Sequence, residues 1–173
     1  MDLVKRESAL WSYLTSDLRE LIEDGERLVV YITREDQKGD ISDFSFAVFP
    51  FAKAYEGFLK KLFFDLGMIS HEDYYGDEIR IGRILNPRYI KEHSSVAKRM
   101  FGHSQARKAL SEELWETWRI GRNRVFHYFP HNFRKLSYEE AMDIVYEIVR
   151  SMTKAVDMCD IEVTSLADIK KVK

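Results

Sequence analysis

The chain has 173 residues, of which 45% are hydrophobic and 32% are charged. These proportions predict one folded domain over residues 1–173 and exclude disordered, collagen-like and membrane-spanning chains. The net charge is −2, Cys159 is the single cysteine, and the N-terminus has no secretory-signal pattern, so we expect a cytoplasmic protein without disulfides.

The first predicted helix lies within about residues 5–34. Its apolar residues recur at spacings of three, four or seven, which is the period of a helix with one buried face. Residues 1–43 contain 11 acidic and 6 basic residues. We therefore expect an acidic N-terminal helix and loop.

The second predicted helix covers roughly residues 44–66. It contains seven of the 11 phenylalanines and is apolar almost all round, which indicates a buried central helix. Pro50 either lies in its first turn or kinks it. Gly67 predicts the C-terminal end of this helix.

The third predicted helix runs from Ser104 to near Phe126, and Pro130 prevents its continuation. The fourth begins at Ser137, where Glu140 three residues later completes the pattern of a capping box.

The segment between the second and third helices, residues 68–103, looks irregular, with a short extended piece at residues 79–81. Four helices with apolar faces favour packing against one another. The predicted fold class is all-α, a bundle of four or slightly more helices.

Basic residues concentrate in two stretches of this otherwise acidic chain. Residues 119–135 hold five basic residues and no acid, and residues 88–108 hold six basic residues and one acid. A local basic surface is one way to bind a polyanion. The alternative is a pair of solvated helix faces.

The stretch Gly-Arg-Asn-Arg-Val-Phe-His begins at Gly121 and contains Arg122, Asn123 and His127 in the form Arg-Asn-x-x-x-His. It resembles the Arg-x4–6-His signature of HEPN-domain ribonucleases, in which Asn commonly follows the Arg. The spacing alone is weak evidence, because it also occurs at Arg88 and His93 and, with six intervening residues, from Arg124 to His131. Only Arg122 is followed by Asn at a predicted helix end.

Geometry places a condition on this motif. Five residues of a regular helix rotate the chain by about 500°, which leaves the side chains of Arg122 and His127 some 140° apart. The helix must therefore unwind before His127, or two copies of the motif must meet across a dimer.

A charged stripe on the apolar second helix adds to the resemblance. Lys53, Glu56 and Lys60 are spaced three and four apart and share one helix face. The segment 51–61 resembles the corresponding helix of the RNase LS toxin family, a branch of the HEPN nucleases. The resemblance to that family spans mainly residues 44–157. Lys53 stands where that family more often has Arg.

The resemblance implies an all-α bundle of HEPN type that cleaves RNA without a metal or cofactor. It assigns the catalytic roles to Arg122, His127, Glu56 and Lys53. A histidine can transfer the proton, and an arginine holds phosphate oxygens through its planar fork. The expected ends are a 2′,3′-cyclic phosphate and a 5′-hydroxyl.

Further residues and partners follow from the same resemblance. Asn123 would support the catalytic residues, and the side chains expected to bind RNA are Arg119, Arg124, Lys60 and Arg134. The implied partners are a second copy of the chain and a cognate antitoxin protein, with no membrane, in toxin–antitoxin or phage defence.

Several alternatives remain open from the residues. The charged stripe is also compatible with ordinary ion pairs along one helix, and the Arg/His pair with a helix-terminal dipole contact. His127 and His131 mimic a metal pair, but no carboxylate lies nearby in sequence. The aromatic residues of this region are more typical of a core or an interface than of base stacking, namely Trp115, Trp118, Tyr128 and Phe129.

Two other functions are compatible with the same helices. One is a non-catalytic dimerisation or adaptor module. The other is a HEPN toxin paired with a nucleotidyltransferase antitoxin, which resembles Arg-x4-His-x-Tyr. Here Phe129 occupies the tyrosine position and the tyrosine is displaced to Tyr128, which counts against that alternative.

Overall fold

A computed structural model describes residues 2–34, 41–89, 105–127 and 135–159. These residues form helices and connecting turns, and no strand occurs among them, which confirms the all-α class. None of the described helices is both long and apolar enough to cross a membrane.

The N-terminal region forms two helices where one was predicted. Helix α1 spans Ala9–Tyr13, and α2 spans Ser16–Arg34. The chain is extended at the buried Leu14. Arg19 stabilises the break, because its guanidinium donates to the main-chain oxygens of Trp11 at 2.8 Å and Ser12 at 3.0 Å, which the end of α1 leaves without helical partners.

Helix α3, Ser45–Asp65, is the buried central helix that the sequence predicts. Pro50 lies inside it, in the second turn rather than the first. Gly67 terminates the helix at a φ of 64°, as predicted, and its N–H donates to the carbonyl oxygen of Phe64. Met68 N–H donates to the carbonyl of Phe63, so the end is a Schellman motif.

Three short helices replace part of the segment predicted to be irregular. They are α4, His71–Tyr75, α5, Ile81–Leu85, and a 3₁₀ turn, Pro87–Tyr89. Ser70 and Asp73 form a capping box that starts α4. The predicted extended piece at residues 79–81 is wrong at its last position, because Ile81 and Leu85 bury one face of a helical turn.

The third predicted helix is α-helical only over α6, Gln105–Trp118, and continues as a π-helix over Arg119–Arg124. Ser104 and Pro130 lie outside the described residues. The last helix, α7, spans Tyr138–Cys159. Its predicted capping box is confirmed, since Glu140 N–H donates to Ser137 Oγ and Ser137 N–H donates to the Glu140 carboxylate.

Helix α3 packs against α2 on one side and α7 on another, and α6 packs against α7 and α5. Tyr55 of α3 is fully buried at the centre. Its hydroxyl donates to the carbonyl oxygen of Leu114 at 3.0 Å and lies 3.2 Å from Ser151 Oγ. Burial raises the pKa of the Tyr55 phenol above its usual value. This network joins α3, α6 and α7 in the core.

Candidate functional site

An ion pair joins the two parts of the chain that the sequence motifs single out. Arg122 Nε donates to Glu56 Oε2 at 2.9 Å, although the residues are 66 positions apart. The two side chains are 40% and 29% exposed, so the pair lies at the surface rather than in the core. The π-helix therefore meets α3 at the position of the charged stripe.

Local packing explains how Arg122 reaches α3. Gly121 is buried against α7, and a Cβ there would lie 2.9 Å from Ile148 Cδ1. Because no side chain separates them, the π-helix approaches α7 closely. A π-turn pairs residues five apart, which changes the direction in which the following side chains point. The helix thus departs from regular α winding before His127, as the motif requires.

The Arg122 guanidinium is supported on a second side by Trp118. The carbon Cζ lies 5.3 Å from the centre of the indole ring, which is a cation–π distance. Among the described residues, none accepts a hydrogen bond from the two η nitrogens of Arg122. A guanidinium held through Nε keeps its η nitrogens for an outside anion.

His127 follows the π-helix at an exposed, non-helical position. Its neighbour Phe126 contacts Phe49 of α3, with ring centres 5.6 Å apart and planes at 89°. Phe49 is one turn before Lys53. The contact therefore brings the chain at His127 to the N-terminal half of α3, where Lys53 also lies. The imidazole belongs to the surface of the protein and not to its core.

The charged stripe of α3 is not an array of ion pairs within that helix. Lys53 is exposed, Lys60 is half-buried, and no carboxylate in the described part of the chain pairs with either. Glu56 pairs instead with Arg122. The stripe therefore presents two cations beside the Glu56–Arg122 pair.

The other predicted residues have different outcomes. Arg119 donates from Nε to Glu116 at 2.8 Å, and this hydrogen bond raises the pKa of its guanidinium. The backbones of Asn123 and Arg124 belong to the π-helix, but their side chains lie outside the described part. Arg134 lies wholly outside it, as does each of the other motif positions named above: His93, Tyr128, Phe129 and His131.

Sequence reasoning missed the part that aromatic residues play around Arg122. Trp118 is 8% exposed and belongs to the core, as predicted, yet the same ring lies under Arg122. Its spacing of four residues from Arg122 was the available signal. The contact between Phe49 and Phe126 had no sequence signal, because the two residues lie on separate helical segments.

Comparisons with family models, curated proteins and solved structures gave no match to this chain. No group of three or more His, Cys, Asp or Glu side chains that could hold a metal ion occurs in residues 2–34, 41–89, 105–127 and 135–159.

Proposed function

We propose that this protein is a metal-independent endoribonuclease of HEPN type that cleaves single-stranded RNA through the 2′-hydroxyl. The observation that carries the proposal is the contact of Arg122 with Glu56, which joins the two motifs at one surface. The packing of Phe126 on Phe49, beside the exposed His127, supports it.

Each residue has a role that its chemistry allows. The η nitrogens of Arg122 hold two non-bridging oxygens of the scissile phosphate, and Lys53 adds positive charge as negative charge builds up. His127 transfers the proton, either from the attacking 2′-hydroxyl or to the leaving 5′-oxygen. Glu56 orients Arg122 by accepting the hydrogen bond from its Nε.

The reaction breaks the bond between phosphorus and the 5′-oxygen and forms one between phosphorus and the 2′-oxygen. The proton of the 2′-hydroxyl leaves and a proton reaches the 5′-oxygen, so atoms and charge balance without a co-reactant. The products are a 2′,3′-cyclic phosphate and a 5′-hydroxyl. Asn123, Arg119, Arg124, Arg134 and Lys60 are proposed to bind neighbouring parts of the RNA.

The assembly forms part of the same proposal. We place two copies in a cytoplasmic homodimer that unites two motifs, and we assign the protein as a toxin that a cognate antitoxin restrains. This assignment rests on the resemblance of the motifs 51–61 and 122–127 to the toxin family.

Incubation of the purified full chain with single-stranded RNA in excess chelator tests the proposal. We expect cleavage with cyclic phosphate ends, and its loss in His127→Ala and Arg122→Ala. His71→Ala is the matched control, since His71 is also exposed but lies on α4. Intact RNA with the wild-type chain, or cleavage that the chelator abolishes, would overturn the proposal.

A further inference from the structure

Two phenylalanines of the central helix are exposed beside the candidate site. Phe46 is 42% and Phe49 is 52% exposed, although the other two phenylalanines in the first four turns of α3, Phe51 and Phe58, are fully buried. Large exposed aromatic side chains grouped together indicate a binding surface more often than a solvated one. Neither ring belongs to the buried core of the described residues.

The two rings continue the charged stripe of α3. Phe46, Phe49, Lys53, Glu56 and Lys60 follow one another at spacings of three and four, so they share one helix face. At a rise of 1.5 Å per residue this face is about 21 Å long. Aromatic rings occupy its N-terminal part, and cations with the Glu56–Arg122 pair occupy the rest.

Phe49 lies close to the residues proposed to react. It is one turn, about 6 Å, from Lys53 along α3, and its ring contacts Phe126, the residue before His127. The rings of Phe49 and Phe126 are perpendicular, and Phe49 is still half exposed. Its accessible surface is therefore next to the place where the scissile phosphate would lie.

We propose that Phe49, extended by Phe46, is a stacking site for a nucleobase of single-stranded RNA adjacent to the scissile phosphate. This inference rests on the proposed function and names the part of the substrate that the site recognises. Aromatic side chains bind bases of any sequence by stacking, and nearby cations bind the connecting phosphates. A base inside a duplex offers no free face, so the site selects single strands.

Charge favours RNA over an apolar partner as the occupant. Lys53 and Lys60 lie on the same face as the rings, and no carboxylate among the described residues pairs with them. A purely apolar partner would desolvate these ammonium groups without compensation. A strand of alternating bases and phosphates matches both the rings and the cations.

The test measures binding of an uncleavable 2′-O-methyl oligonucleotide of about 12 nucleotides and of an abasic strand of the same length, by fluorescence anisotropy. Phe49→Leu keeps an apolar contact with Phe126 but removes the ring. We expect it to weaken binding of the base-bearing strand about fivefold or more, and to leave binding of the abasic strand unchanged. Phe49→Trp should restore the affinity.

Tyr75→Leu is the matched control, because Tyr75 is 66% exposed but lies on α4, beyond the opposite end of α3. Equal affinities of the wild-type chain and Phe49→Leu for the base-bearing strand would overturn the stacking site while leaving the nuclease proposal intact. Base-dependent loss of binding in a chain that never cleaves RNA would support the site and reject the nuclease.

Self-association is the competing use of this face. Light scattering on the same variants measures the mass of the particle. If Phe49→Leu converts a dimer to a monomer and weakens binding of the base-bearing and abasic strands equally, the rings form an interface between copies. The stacking site is then overturned.

Discussion

Arg122 is held from two directions, by the carboxylate of Glu56 and by the indole of Trp118, while its η nitrogens have no acceptor among the described residues. These two contacts therefore fix the orientation of the guanidinium, in addition to the positive charge that it provides. Lysine has the same charge but lacks both the Nε contact and the planar fork.

We predict that Arg122→Lys lowers kcat for RNA cleavage about 100-fold, because the ammonium group cannot bind two phosphate oxygens and Glu56 together. The measurement is single-turnover cleavage of a labelled strand. Arg150→Lys is the control, since Arg150 is an exposed arginine paired with Glu147 on α7. Full activity in Arg122→Lys would mean that only positive charge matters there.

Glu56→Gln tests whether the carboxylate acts by orienting Arg122. We expect kcat to fall while the free energy of unfolding changes by less than about 1 kcal/mol, because a partly exposed ion pair contributes little to stability. Cleavage assays and urea unfolding supply the two readouts. Glu147→Gln removes an equivalent exposed pair on α7 and should leave cleavage unchanged. A loss of stability that accounts for the whole loss of activity would contradict the orienting role.

At the scale of single residues, the sequence selected the candidate residues but did not predict which of them pair. The spacing of Lys53, Glu56 and Lys60 allowed ion pairs within α3 as well as contacts outside it. The pairing of Glu56 with Arg122 depends on tertiary packing, and a spacing of three or four residues carries no information about that packing.

Among the elements, the π-helix at Arg119–Arg124 determines where the motif points, and Gly121 is the residue that lets it lie against α7. The apolar steps through Leu110, Leu114 and Trp118 continue to Gly121 without interruption, so the sequence predicts one regular helix. The change of winding has no signature in that pattern, because a period of hydrophobic residues reports the buried face and not the hydrogen-bond register.

We predict that Gly121→Ala destabilises the protein by about 1–3 kcal/mol and reduces cleavage, since the new methyl group would lie 2.9 Å from Ile148 Cδ1. Ile148→Val removes that carbon atom. In the double variant, we expect part of the lost stability and activity to return, with a coupling of at least about 0.5 kcal/mol. Urea unfolding of all four proteins measures the cycle. If the changes in the free energy of unfolding are additive, the contact of the new methyl group with Ile148 is not the cause of the lost stability.

The ends of the helices were easier to predict from the sequence than this change of hydrogen-bond register. The capping box at Ser137 and the stop at Gly67 were predicted and confirmed, because both depend on a few neighbouring residues. The break at Leu14 was missed. It depends on Arg19 reaching back to the carbonyl oxygens of Trp11 and Ser12.

In the whole molecule, the beginnings of α3 and α7 are joined by hydrogen bonds at the edge of the core, beside the buried Phe44 and Leu136. Asp43 Oδ1 accepts hydrogen bonds from Ser45 N–H at 3.0 Å, from Ser45 Oγ at 2.7 Å and from Leu136 N–H at 3.1 Å. Phe44 N–H donates to the carbonyl oxygen of Leu136 at 3.0 Å. The sequence predicted both helices, yet this junction links residues 93 positions apart and has no local pattern.

The Asp43 junction predicts a specific dependence of stability on pH. Partial burial opposes ionisation of Asp43, but the hydrogen bonds from Ser45 and Leu136 outweigh it and lower the pKa below its usual 3.8. A carboxyl group whose pKa is lower in the folded chain stabilises the fold above its unfolded pKa, and this contribution disappears as the pH falls through the folded value.

We therefore predict that Asp43→Asn costs about 1 kcal/mol or less at pH 7, since solvent still screens this partly buried group. The difference from the wild-type chain should begin to shrink below about pH 4 and continue to shrink as the pH falls through the lowered pKa of the folded carboxyl group. Urea unfolding of both proteins at pH 7 and near pH 3 measures the two differences. Asp143→Asn is the control, because Asp143 is exposed on α7 and forms no ion pair within the described residues. If the cost of Asp43→Asn is the same at both pH values, the ionised carboxylate is not what stabilises the junction.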